Sequence, residues 1–271
     1  MRTGGGERVA GWLLRLCAVV PVVLTLGLVS MLARGAWTEQ GLAMPPGGLA
    51  PAVMGTVLIA GLALLWAVPV GLAAAIYLAE FAPATWRRWL RPALELLAGV
   101  PTVIYALLAV WVVVPALTRL LPGLSVPRIV AASMVLALML VPTVVSLAED
   151  ALRTVPRQQR EAALALGASR LRMLAYVVLP AAAPGIVAAV MLALARAVGE
   201  TMIMTLVAGR LPWMGLDPRT AVETLTGQLG AAGLGAPVTG SMYTAGAVLL
   251  LLSLAVHSVG HRLVRRAGRW S

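Results

Sequence analysis

Six apolar segments, each of bilayer-crossing length, constrain this chain more than any other feature. They run over Leu13–Leu32, Met54–Leu78, Leu94–Pro115, Ile129–Leu147, Ile186–Ala208 and Ala245–Leu263. A hydrocarbon core of about 30 Å takes roughly 20 apolar residues as a helix. Hydrophobic residues make up 61% of the chain and charged residues 11%, against about half and about a quarter in a soluble globular domain. A mean hydropathy of +0.94 points the same way. A spanning backbone must satisfy its own hydrogen bonds, and the two-residue alternation of barrel strands is missing, so all six segments are expected to be helices. The expected fold is an all-α integral membrane protein with six transmembrane helices.

The basic residues set the expected orientation. All 21 are arginine. With the N-terminus in the cytoplasm, 15 fall in inner segments, 5 in outer loops, and Arg196 lies within a span. That division follows the positive-inside rule and puts both termini in the cytoplasm. The net charge of +11 is therefore a topology and lipid-headgroup signal; arginines scattered over short loops argue against a nucleic-acid partner. Leu13–Leu32 follows Arg2 and Arg8 as a signal peptide would, but it is span length, and its removal would leave an odd number of spans. Cys17 lies inside it as a packing residue, and a single cysteine forms no intramolecular disulfide.

The expected organisation is a cytoplasmic N-terminus, first span and outer loop over residues 1–50, a main transmembrane body over 51–264, and a basic cytoplasmic tail over 265–271. The outer segment Gly209–Thr244 is glycine-rich, with one short helix expected around Ala221–Leu229. A functional loop and a plain surface connection both fit it. Residues 149–180 form the main cytoplasmic structure. Thr154 and Pro156 suit a helix start, and Gly167 suits its left-handed end. Ser169 is placed to cap a second helix through Leu179. Composition alone leaves two readings open: a compact knob below the membrane, or an amphipathic helix lying on the lipid surface.

Within the spans two charges stand out. A charge near the bilayer centre costs at least about 2.5–3.5 kcal/mol, so such residues usually face a cavity and do something. Arg196 lies near mid-span, roughly 15 Å along the helix from Ile186, and Glu200 follows at i+4, near enough to pair. A planar guanidinium suits an oxyanion by donating paired hydrogen bonds. A helix-packing ion pair beside Gly199 is the alternative. Thr102, Tyr105 and Thr201 offer hydroxyls to a pathway or to neighbouring backbone. His257 and His261 sit at i, i+4 without a third ligand, which reads as helix-end polarity and gives no metal site. With no phosphate-binding loop or catalytic cluster, the chain reads as a transport subunit and not an enzyme.

Glu161-Ala162-Ala163, three residues, Gly167, nine residues, then Val177, one residue and Leu179-Pro180 resemble the EAA loop of ATP-binding-cassette (ABC) permeases, with Val177 in place of isoleucine. The resemblance implies the type I, MetI-like architecture in a bacterial inner membrane and docking of an ATPase through Glu161, Ala162, Ala163 and Gly167. ATP-Mg would then be used by that partner; this chain is expected to bind no cofactor. Gly55 to Glu80 looks like the opening of the permease domain. Ala98 to Tyr105 resembles phosphate-importer (Pst-type) permeases, although Ala106 stands where a glycine usually follows. Ala195-Arg196-Ala197-Val198-Gly199-Glu200-Thr201 resembles the fifth span of the Pst permeases. Met202-Ile203-Met204-Thr205 and Thr220 to Thr224 look more like the C-type than the A-type subunit.

The implied function is one half of the pathway of an inorganic phosphate importer. Its implied partners are a second permease as heterodimer, two ATPase subunits and an extracytoplasmic phosphate-binding protein. In that setting Glu200 would pair with Arg196 when substrate is absent, or accept the proton of hydrogen phosphate, which sulfate lacks. The alternatives are an ABC permease for molybdate, sulfate or phosphonate, and an ion-coupled secondary transporter.

Overall fold

Every regular element is helical among the residues that the computed structural model describes, 4–37, 48–120, 128–209, 222–235 and 239–268. In chain order the helices are α1 (Gly4–Ala36), α2 (Ala50–Ile76), α3 (Ala84–Gly99), α4 (Thr102–Leu108), α5 (Val114–Leu120) and α6 (Arg128–Thr154). They continue as α7 (Arg157–Ala165), α8 (Arg170–Met173), α9 (Leu179–Val198), α10 (Leu225–Gly233) and α11 (Gly240–Ala267). Wide π turns at Tyr77–Phe81, Ala109–Val113, Leu174–Val178 and Met204–Ala208 extend or join them. Two of these turns end just before Pro115 and Pro180. A proline donates no hydrogen bond to the preceding turn, and a wider turn absorbs the mismatch without breaking the helix.

Among the described residues six helices are long and apolar enough to span a membrane: Ala10–Ala36, Ala50–Phe81, Thr102–Leu120, Arg128–Thr154, Arg170–Val198 and Gly240–Ala267. Three boundaries differ from the sequence expectation. The third span begins at Thr102 and not at Leu94, because Val100 is extended ahead of Pro101, where the α conformation is disfavoured. Residues 84–99 form the separate helix α3, with no buried residue. The fourth span continues past Leu147 to Thr154 and takes Glu149 and Asp150 into the helix. The expected fifth span, Ile186–Ala208, is one helix only as far as Val198; it breaks at Gly199–Thr201 and restarts toward Ala208. The short outer helix lies at Leu225–Gly233, a few residues later than expected. Arg2, Arg210, Arg219, Thr220, Ala221 and Arg269 lie outside the described residues.

The most buried of the spans is α6, and α2 packs along it more extensively than any other pair of helices packs. The reason is side-chain size. Ala60, Ala63, Ala67, Gly71 and Ala75 make a buried small-residue stripe on α2, which lets two apolar helices approach closely where water offers no drive to associate. Opposite it lie Val135, Leu136, Met139, Leu140 and Val144. A second cluster joins Ala75, Leu78, Val145, Leu152, Val155, Met173, Leu174 and Val178, tying the ends of α2 and α6 to the segment after α7. At the opposite end Thr56 Oγ1 accepts the Leu225 N–H at 3.0 Å, fastening α10 to α2. The first span stands apart: α1 packs chiefly on α11, with Gly35 against the Tyr243 ring.

The stripe sets a test. A Cβ at Gly71 would sit 2.7 Å from Val144 Cγ1 and 2.8 Å from its Cβ, whereas one at Gly61 would meet nothing within 4 Å. Gly71→Leu is expected to overpack the α2–α6 seam by about 1–3 kcal/mol, lowering the melting temperature of the detergent-solubilised chain. Gly61→Leu should leave it unchanged.

Candidate functional site

The break in the fifth span is where the intramembrane charges sit. Helix α9 runs antiparallel to α6, with Gly185 against Ala151 and Arg196 beside Thr143. Arg196 Nη1 donates to Thr143 Oγ1 at 3.2 Å. Thr143 lies near the middle of Arg128–Thr154, so Arg196 stands at the mid-depth of the bundle's central helix. Among the described residues no carboxylate lies within 4.0 Å of it.

Glu200 does not continue the helix that carries Arg196, and the expected i+4 pair is not formed. Gly199 ends α9, and the Glu200 carboxylate turns to the restart of the chain. Glu200 Oε1 accepts the Met202 N–H at 2.9 Å and the Ile203 N–H at 3.4 Å, while the residue is only 7% exposed. A helix start leaves backbone N–H groups without partners, and a carboxylate there satisfies them and complements the helix dipole. Thr201 belongs to the same restart: its hydroxyl donates to the Gly199 carbonyl at 3.3 Å, and its carbonyl accepts the Thr205 hydroxyl at 2.6 Å. The restart is close-packed on α10, since a Cβ at Gly230 would overlap Thr205 and Thr201.

The other hydroxyls divide. Tyr105 is buried and donates to the Leu97 carbonyl at 2.7 Å, closing the elbow between α3 and α4. Thr102 is half-buried at the start of α4 and takes no part in the Arg196 contact. His257 hydrogen-bonds the Ser253 carbonyl and His261 the Arg265 guanidinium. Among the described residues there is no group of three or more metal-ligating side chains.

Of the segment 149–180, residues 149–154 end the fourth span and residues 170–180 begin the fifth, leaving a short helix–glycine–turn knob between them. No residue of α7 is buried, and Glu161, Ala162 and Gly167 are exposed. Ala163 packs toward the second core cluster. Gly167, at φ +83, ends the helix in the left-handed conformation that glycine adopts without a Cβ penalty. Ser169 caps the next turn by accepting the Arg172 N–H at 3.3 Å. The following helix does not stop at Leu179; through the π turn it runs into the fifth span.

Sequence reasoning missed what holds the knob. Arg160 pairs with Glu80 and donates to the Leu152 carbonyl at 2.6 Å and the Val155 carbonyl at 3.4 Å. Arg87 donates to the Leu78 carbonyl at 2.6 and 3.0 Å. Charge counting treats these arginines as topology signals, yet Arg87 and Arg160 finish the end of the second span. It also missed Thr143 and Glu149. Glu149 is 1% exposed and paired with Arg153 at 2.5 Å and Arg91 at 3.7 Å, a third buried charge within a span helix. A threonine after a proline inside an apolar run was the available signal for Thr143.

Six helical spans, a discontinuous fifth span with an arginine at mid-depth and an exposed helix–glycine–turn knob define a membrane transport subunit. The chain belongs to the family of binding-protein-dependent transport system inner membrane components, which it matches over residues 67–269. It is 33% identical over 213 residues to the probable ABC transporter permease protein YqgH of Bacillus subtilis, covering 77% of this chain and 69% of that protein. Against the phosphate transport system permease protein PstC of Mesorhizobium japonicum it is 32% identical over 242 residues, covering 81% and 74%. Against PstA 1 of Mycobacterium tuberculosis it is 33% identical over 202 residues, covering 72% and 64%. The fold matches an inward-facing MetNI methionine ABC transporter chain with TM-score 0.64 at 23% identity, covering 81% of this chain and 95% of that one. It also matches a chain of a bacterial ABC transporter involved in alginate import with TM-score 0.66 at 17% identity, covering 96% and 98%.

The break gives a second test. Glu200→Ala strands the buried Ile203 N–H and removes the acceptor of the part-buried Met202 N–H, at about 1–3 kcal/mol, and should lower the yield of detergent-stable chain; Glu200→Gln keeps an acceptor oxygen and should preserve it. If Glu200 served only to neutralise Arg196, adding Arg196→Gln to Glu200→Ala would restore the yield. The expected result is no restoration.

Proposed function

We propose that this chain is one half of the translocation pathway of an ATP-driven importer of inorganic phosphate. Residues 51–264 are its permease unit, and both termini lie in the cytoplasm of a bacterial inner-membrane protein. The observation that carries the reading is the state of Arg196: a cation at mid-depth, held by a neutral threonine hydroxyl, with its carboxylate neighbour committed to the backbone. A guanidinium has five N–H donors, and one bond to Thr143 leaves the fork free for an oxyanion. The substrate assignment draws on relatives named as phosphate transport permeases. The C-type position in a heterodimer draws on Met202–Thr205.

The knob of residues 157–169 is assigned to docking one of two ATPase subunits, which use ATP-Mg. Leu166 exposes large apolar surface there, close in sequence to Glu161, Ala162 and Gly167, and Leu171 and Tyr176 do so just beyond it at the start of the fifth span. An extracytoplasmic binding protein would deliver phosphate at the α10 side. Motion of the ATPases would reach the spans through Arg160, Glu80 and the continuous helix from α8 into α9. Arg196, with Tyr105 and the hydroxyls of Thr201 and Thr102 along the way, would meet the ion in transit. Buried Glu200 positions the restart and does not exchange with substrate.

Uptake of radiolabelled phosphate into vesicles holding the whole transporter tests this. Arg196→Gln should cut turnover per assembled complex by about a hundredfold or more, the scale of two charge-assisted hydrogen bonds, with docking intact. Normal uptake by that variant would sink the assignment. Gly167→Val should do the reverse: it strains a positive-φ position, misplaces the knob, and abolishes ATPase co-purification while the chain still inserts.

A further inference from the structure

Between the Arg196 contact and the knob lies a cavity of about 310 Å³. Its walls come from α3, α6 and α9, and its polar lining is Arg91, Glu95, Thr143, Ser146 and Glu149. Thr143 is the residue that holds Arg196, so the cavity begins where the mid-depth cation ends. Glu149, where Arg91 is tethered, lies six residues further toward α7, roughly 9 Å along α6.

The two arginines on Glu149 are bound unequally. Arg153 makes a 2.5 Å contact to Oε1, whereas Arg91 stands 3.7 Å from Oε2 and 3.3 Å from Asp150. The Arg91 side chain is 43% exposed and the Asp150 side chain 59%. Arg91 can therefore leave without stripping buried Glu149 of its counter-charge, and exposed Asp150 is served by water. Arg160, by contrast, uses each of its three nitrogens on a fixed partner: the part-buried Glu80 carboxylate and the Val155 and Leu152 carbonyls.

We propose that Arg91 is a second anion-binding residue of the pathway, exchanging its carboxylate partners for the phosphate that Arg196 releases. The inference rests on the phosphate reading above. The surrounding Glu95, Glu149 and Asp150 keep the station weak by repelling an anion once it has arrived. A conduction path needs sites favourable enough to enter and weak enough to leave. The guanidinium fork supplies the first property and the carboxylates the second.

The test is phosphate uptake by the whole transporter in vesicles, alongside ATP hydrolysis and complex yield. Arg91→Gln should lower turnover per assembled complex by about tenfold or more, the scale of one charge-assisted hydrogen bond, with KM near the unaltered value and ATP hydrolysis continuing. Arg91→Lys should recover part of the turnover by restoring the charge. A merely structural Arg91 would matter only as a counter-ion to Glu149, so Arg91→Gln with Glu149→Gln would restore both yield and turnover; the proposal expects yield alone to return. Turnover near the unaltered value in either glutamine variant overturns it, and the double variant decides the matter where the single one assembles poorly. Uptake that needs Arg196 but not Arg91 overturns this inference alone. No uptake by the unaltered transporter overturns the phosphate reading and this inference with it.

Discussion

The hydrogen bonds from the Met202 and Ile203 amides to Glu200 are the interaction on which the centre of this protein depends. Lipid offers no substitute partner for an exposed backbone group, so a helix can break inside a membrane only where the protein itself satisfies the loose ends. A carboxylate placed one residue before the restart does so in the smallest space. The same commitment has an electrostatic consequence. With the chain turned at Gly199 and the carboxylate aimed at the two amides, Glu200 is held away from Arg196, which has no carboxylate within 4.0 Å among the described residues. The break thus separates two charges that a continuous helix would have paired, and leaves the cation with a hydroxyl.

The opposite logic governs the end of the bundle next to the knob. There the second span finishes in a π turn whose carbonyls are taken by Arg87, and Arg160 ties the knob to Glu80 and to the last turn of α6. Arg160 and Glu80 are both part-buried, so removing one partner leaves the other charge only partly served by solvent. The contact ties the knob, the end of α2 and the end of α6 together, and the helix from α8 into α9 runs from the knob up to the break.

What was readable in the sequence follows from which forces act locally. Hydropathy fixes how many helices cross, since burial in lipid needs only length and composition, and the left-handed Gly167 was readable because a single residue carries the constraint. Boundaries that depend on competition were not. Leu94–Gly99 is apolar enough to be read as membrane, but Pro101 decides that it turns aside. Glu200 at i+4 from Arg196 is a correct spacing for a helix that does not persist. Thr143 and Glu149 became visible only when antiparallel packing set α6 against α9 and α3.

The arginines of this chain form a graded series, and the grading separates structural from functional cations better than burial does. Arg160 is held by a carboxylate and two carbonyls, Arg87 by two carbonyls, Arg91 by two distant carboxylates in a half-open cavity, and Arg196 by one threonine. A guanidinium with every donor directed at fixed protein acceptors has nothing left to offer a ligand. One with unspent donors in a low-dielectric space carries an unmet electrostatic demand. That demand rises from the knob toward the middle of the membrane. On the proposed phosphate reading, an oxyanion moving toward the knob would pass from the cation with fewest fixed partners to one already shared with carboxylates, and then to arginines held by several fixed acceptors. Release on the knob side would then follow from that order of partners, without any residue there having to repel the ion outright.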